Sequence, residues 1–170
     1  EIHNAAFDLL DVSAKIFRRM AELQLKIGKG GFLTEKIKNS YLISSIFLRG
    51  AFDLKYFINM PRNVAETIAR NLYGKREIKL DDETISDCVG ELANVICGNA
   101  CSQILEFGQR LYLSPPENYL RPKTPELPID TTRKALIFPA SVPIGELQIG
   151  LEMARKKYDR TEETNNKLHE

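Results

Sequence analysis

Three polar residues of one short segment, Asp87, Glu91 and Asn94, have types and spacing that could do chemistry together. At about 100° per helical residue they fall within about 60° of arc, and Gly98 returns to nearly the same direction. A carboxylate on such a line can pair with a lysine of another molecule. A carboxamide can donate and accept hydrogen bonds at once. Neither is a strong nucleophile, and no His stands beside them to activate one. The set suits orienting a water towards a centre that is already reactive in a partner. Gly98 removes a side chain where another protein's surface would need to come close. The same residues could do no more than solvate the outside of an amphipathic helix, and periodicity alone favours that plainer role.

A helix must carry this line, and the sequence provides one. Ile85, Val89, Leu92 and Ile96 form an apolar stripe opposite the polar line, with Asn99 and Gln103 nearer the apolar side. Asp81 or Asp82 is the expected N-cap, with acidic side chains at the positive helix end, and Gly108 the expected stop after about Phe107. Upstream, residues 3–25 have the periodicity of an amphipathic helix ending before Gly28. Segments 32–38, 41–47 and 51–60, the last two parted by Gly50, predict two or three short antiparallel strands. Met60-Pro61 opens another helix, with Val64, Ile68 and Leu72 on one face and Gly74 closing it. Downstream, five prolines from Pro115 to Pro128 require an extended, turn-rich path. Strands are expected over 134–139 and 144–151. This order predicts an α+β fold: a single domain over residues 1–153, with a largely antiparallel sheet packed by an N-terminal helix and two central helices. Residues 154–170 read as a charged C-terminal tail.

Composition excludes several other classes. Over 170 residues, 24 Lys and Arg against 23 Asp and Glu leave a net charge of +1, so no basic field argues for nucleic acid. His3 and His169 sit near opposite ends, which disfavours a histidine metal site or a catalytic dyad. Cys88, Cys97 and Cys101 are an odd count and a poor disulfide framework; small buried thiols are the expectation. Cys97 and Cys101 share helical spacing without a His or Lys on the helix to lower a thiol pKa. No apolar run approaches the ~20 residues that span a bilayer, and the start lacks a signal-peptide profile, so no membrane role and a cytoplasmic location are expected.

On these residues the sequence resembles the CheC, CheX and FliY-type chemotaxis phosphatases. That family carries Asp or Ser, three residues, Glu, two residues, Asn, and a Pro after twenty-one more. Asp87, Glu91, Asn94 and Pro116 match at each position and interval. Gly90-Glu91-Leu92-Ala93-Asn94 and Cys97-Gly98-Asn99-Ala100 also look like the family's active helix, and the element order agrees over roughly residues 3–152. The first helix offers only Asp8 and Asp11, which complete no second pattern, so the resemblance favours the CheX form with one active helix per chain.

What the resemblance implies is a phosphatase acting on the aspartyl phosphate of a phosphorylated CheY-type response regulator. Asn94 would orient the attacking water and Glu91 would pair with the receiver's lysine. Asp87 and Gly98 would face the partner, and Pro116 would shape the connection beyond the helix. Magnesium would come with the receiver, and this chain would bring no cofactor or metal. A homodimer joined through sheet edges is implied as well. The alternative in the same fold is a non-catalytic binding or flagellar-switch-like scaffold, which would be expected to lack the Glu or the Asn. A further alternative, a ligand-sensing domain, requires a concave apolar pocket beside the long helix.

Overall fold

Residues 2–33, 35–50, 52–74, 77, 79–105, 111–128, 130 and 133–154 are described by the computed structural model. In chain order the elements are α1 (Ile2–Ala21), β1 (Lys26–Ile27), β2 (Gly31–Leu33), β3 (Ile37–Lys38), β4 (Leu42–Gly50), β5 (Asp53–Met60), α2 (Arg62–Leu72), α3 (Asp82–Leu105), β6 (Leu111–Leu113), β7 (Glu117–Leu120), β8 (Glu126–Leu127), β9 (Arg133–Val142) and β10 (Gly145–Ala154). The predicted α+β class holds: three helices on a sheet whose pairings are antiparallel.

α1 buries Leu9, Val12, Ile16 and Phe17, the stripe that a 3.6-residue period lays along one helix face. It stops at Ala21, short of the expected residue 25. Glu22 takes a left-handed φ of 54°, and the Leu23 N–H closes on the Phe17 carbonyl at 3.1 Å. Leu23 and Leu25 then both enter the core, which the alternation of extended chain permits.

The main sheet runs β1-β9-β10-β5-β4-β6, with β2 also on β9 and β7 also on β4. Segment 32–38, read as one strand, is two: β2 joins β9 while β3 pairs with β8 in a separate small sheet. The last two strands are longer than predicted and form a hairpin across Pro143-Ile144, with Leu147 opposite Ala140 and Leu151 opposite Leu136. Alternation sorts the side chains. Leu42, Ile46, Leu54, Tyr56, Ile58, Ile149 and Leu151 point into the main core with the helices. Ile43 and Phe57 point the other way and pack with Ile37 in a smaller cluster. The fully buried Tyr56 hydroxyl meets Ser13 Oγ at 2.8 Å, tying the central strand to α1.

α2 begins after Pro61, whose missing N–H costs nothing at that end, and buries Val64, Ala65, Ile68 and Ala69. Gly74, at φ 62°, turns the chain away from its end. At the start of α3 the Asp81 carboxylate accepts the Thr84 N–H at 2.8 Å, the expected cap. Gly108, the expected stop, and the tail beyond Ala154 lie outside the described residues.

Candidate functional site on α3

α3 packs against both other helices and against β4, β6 and β7. Ile85, Val89, Leu92 and Ile96 are fully buried, as the stripe predicts. Burial extends well past that stripe to Cys88, Gly90, Ala93, Cys97, Ala100 and Cys101, so little of the helix remains for solvent. On what remains, Asp87 and Glu91 are exposed and Asn94 and Gly98 are partly exposed. Asn99 and Gln103 do not lean on the core as expected but face out, and Asn99 Nδ2 donates to the Val95 carbonyl at 2.8 Å.

Asp87, Glu91 and Asn94 take part in no hydrogen bond or ion pair among the described residues. A free carboxylate and a free carboxamide therefore stand about 4.5 Å apart in helical rise, at residues 91 and 94. Both can engage an outside molecule without breaking an internal contact.

Two glycines of α3 differ in kind. A Cβ on Gly98 would meet only Leu113 Cδ1, at 4.0 Å, so internal packing does not demand a glycine there. A Cβ on Gly90 would lie 3.0 Å from Asn118 Nδ2 and 3.4 Å from Pro116 Cβ. Pro116 thus lies directly against α3 beside Glu91. Gly90 and Asn118 were not singled out from the sequence; the only sign was the Gly that opens the Gly90-Glu91-Leu92-Ala93-Asn94 run.

The three cysteines are free and buried. Burial pushes the Cys101 thiol up to about 11 and raises those of Cys97 and Cys88, the last also through the Asp87 charge. Nucleophilic thiol chemistry has no support here. Among the described residues no group of three or more His, Cys, Asp or Glu gathers to hold a metal, and no helix is long and apolar enough to cross a membrane. An open groove of about 450 Å³ lies over Lys26, Gly28, Pro139 and Glu146, on β1, β9 and β10 rather than beside α3.

Among the described residues, then, three helices on an antiparallel sheet carry one narrow polar strip with a Glu and an Asn that have no internal partner. The chain belongs to the CheX family: the model for chemotaxis phosphatase CheX matches residues 42–139. No curated protein sequence matches significantly. Solved structures share the fold. CheX from Desulfovibrio desulfuricans has a TM-score of 0.76 at 16% identity, over 88% of this chain and 99% of that one. CheX from Vibrio vulnificus has a TM-score of 0.73 at 23% identity, over 88% and 99%. The CheX–CheY–BeF3–Mg2+ complex from Borrelia burgdorferi has a TM-score of 0.71 at 22% identity, over 88% and 97%.

Proposed function

We propose that this chain hydrolyses the aspartyl phosphate of a CheY-type receiver domain, with Asn94 orienting the water and Glu91 pairing with the receiver's lysine. The observation that carries the reading is that Glu91 and Asn94 stand side by side on the strip with no side-chain partner among the described residues. An acyl phosphate is intrinsically labile, so the catalyst has to position water in line with the scissile bond and complete the charge environment, not attack the phosphorus itself. A carboxamide can hold that water by accepting a hydrogen bond from it. A carboxylate one turn away can form a charge-assisted bond to an ammonium group and set the register of the two surfaces. Asp87 extends the strip towards the partner. The magnesium ion neutralises phosphate charge in the receiver and is supplied by it.

The test is phosphate release from a phosphorylated CheY-type receiver with magnesium, for the parent, Asn94→Ala and Glu91→Ala. Asn94→Ala should lose most of the acceleration. It should not melt earlier, because Ala is the better helix former by roughly half a kcal/mol. Glu91→Ala should lower the rate and weaken partner engagement. A parent that accelerates no receiver would favour the non-catalytic scaffold of the same fold. The homodimer through sheet edges belongs to the same proposal, and a monomeric mass in sedimentation would remove it.

A further inference from the structure

We infer that Leu113 is a second receiver-contact residue, carried to the border of the strip by a β-bulge that Ser114 closes; this rests on the function proposed above. The register with β4 sets Leu113 of β6 opposite Leu48, and Glu117 of β7 opposite Ser45. Ser114 still pairs with Phe47: its N–H donates to the Phe47 carbonyl at 2.9 Å, and its Oγ accepts the Phe47 N–H at 2.8 Å. Pro115 and Pro116 therefore stand together opposite the single residue Ile46, and neither has an N–H to leave unpaired.

One extra residue reverses the alternation. In a straight strand Leu113 and Pro116 would point to opposite faces. Here Leu111 and Leu113 pack with the main core before the bulge, and Leu120 does so after it, while Tyr119 joins the smaller cluster on the far face. The bulge thus brings both residues onto α3. Pro116 Cβ would lie 3.4 Å from a Cβ on Gly90, and Leu113 Cδ1 4.0 Å from a Cβ on Gly98. The two glycines are about 12 Å apart in helical rise, with Asn94 midway between them. Leu113 and Pro116 are both partly exposed, so an apolar border runs along the strip. A surface that closes on Asn94 meets this border, since neither glycine interposes a side chain. Apolar contacts around a polar centre exclude water and strengthen the charge pair within. A purely structural Leu113 would fill the corner between β6 and α3; its loss would lower stability and leave docking untouched.

The experiment uses the full chain, a phosphorylated CheY-type receiver with magnesium for turnover, and the same receiver held with beryllofluoride for binding. Leu113→Ala should raise KM and weaken binding by about tenfold with kcat within about twofold, the scale of an interface contact. Leu113→Met keeps apolar bulk and should stay close to the parent. Leu113→Gln keeps the length of the side chain but not its apolar tip, and should lose affinity as the Ala variant does; it decides the matter if the Ala variant unfolds. Ser114→Ala should speed deuterium exchange at the Phe47 amide and raise KM in the same direction. Asn94→Ala, run alongside, should lose kcat while still binding. If the folded Leu113 variants keep the parent's KM and affinity, or if their loss lies in kcat alone, the docking role is overturned. A Ser114→Ala variant that frees the Phe47 amide and keeps the parent's KM would show that the bulge does not place the contact. If the parent itself neither binds nor turns over any receiver, it is the proposed function that fails, and the inference fails with it.

Discussion

Gly90 of α3 and Asn118 of β7 meet so closely that a Cβ on the glycine would stand 3.0 Å from Asn118 Nδ2 and 3.3 Å from its Oδ1. A side chain at residue 90 would have to push the Asn118 amide by a few tenths of an ångström, and the same closeness brings Pro116 level with Glu91. The arrangement has two local costs. Gly in a helix interior is worth about 1 kcal/mol less than Ala. Asn118 Oδ1 is buried without a hydrogen-bond partner.

Gly90→Ala is expected to change stability little, because the propensity gain of about 1 kcal/mol opposes a small displacement of the Asn118 amide. Gly90→Val, whose extra methyls have no room, should cost about 2 kcal/mol or more. Both should slow phosphate release, since Pro116 and β7 must move away from the helix. Melting curves beside turnover rates check this; a Gly90→Ala variant with the parent's rate would show that the close approach does not set the site.

Gly98→Ala should separate stability from docking. Its Cβ would find only Leu113 Cδ1 at an ordinary contact distance. The substitution should therefore stabilise the chain by about 0.5–1 kcal/mol, or roughly 1–4 °C in Tm. If Gly98 leaves room for the receiver, KM should rise at the same time. An unchanged KM in a more stable variant would remove Gly98 from the partner surface.

The strip itself was legible in the sequence because one helical period places Asp87, Glu91, Asn94 and Gly98 together, and the fully buried Ile85, Val89, Leu92 and Ile96 agree. Its flanks were not. Pro116 and Asn118 reach Gly90 from more than twenty residues further along the chain. No local period encodes such contacts. The split of segment 32–38 is a matter of pairing partners: β-branched and aromatic residues mark extended chain, while β9 and β8 decide which sheet each half joins.

Tyr56 and Ser13 should respond unequally to loss. Ser13 Oγ donates to the Leu9 carbonyl at 2.6 Å and accepts from the Tyr56 hydroxyl. Tyr56→Phe leaves Ser13 bonded to Leu9 and should cost about 1 kcal/mol. Ser13→Ala strands a buried phenol hydroxyl and should cost more, about 1–3 kcal/mol. Denaturant midpoints at constant slope check the order; the reverse order would mean that the phenol finds another partner.

Glu152 makes stability depend on pH in a direction opposite to that of a paired surface carboxylate. It is 2% exposed, its Oε1 has no hydrogen-bond partner, and it lies opposite Lys55 in the register of β10 and β5. Burial pushes its carboxyl pKa up, against the pull of Lys55 and Arg133. Arg133 is already engaged by Asp53 at 2.8 Å and by Asp130 at 3.4 Å. A carboxyl whose folded pKa lies above its unfolded value binds protons more tightly in the folded chain. Its contribution is therefore most favourable below the usual glutamate value of about 4.3 and is lost as pH rises through the raised one. Asp81 has the opposite sign, since its hydrogen bonds to Thr84 hold its carboxyl low, but it acts only at and below the usual aspartate range. Above about pH 4.3 the Glu152 effect stands apart from it. Glu152→Gln, which cannot ionise, should thus gain on the parent in urea unfolding as pH rises from about 4.3 through the raised pKa, and keep that gain above it. Parallel stability curves for the two proteins would mean that Lys55 and Arg133 offset the burial of the charge in full.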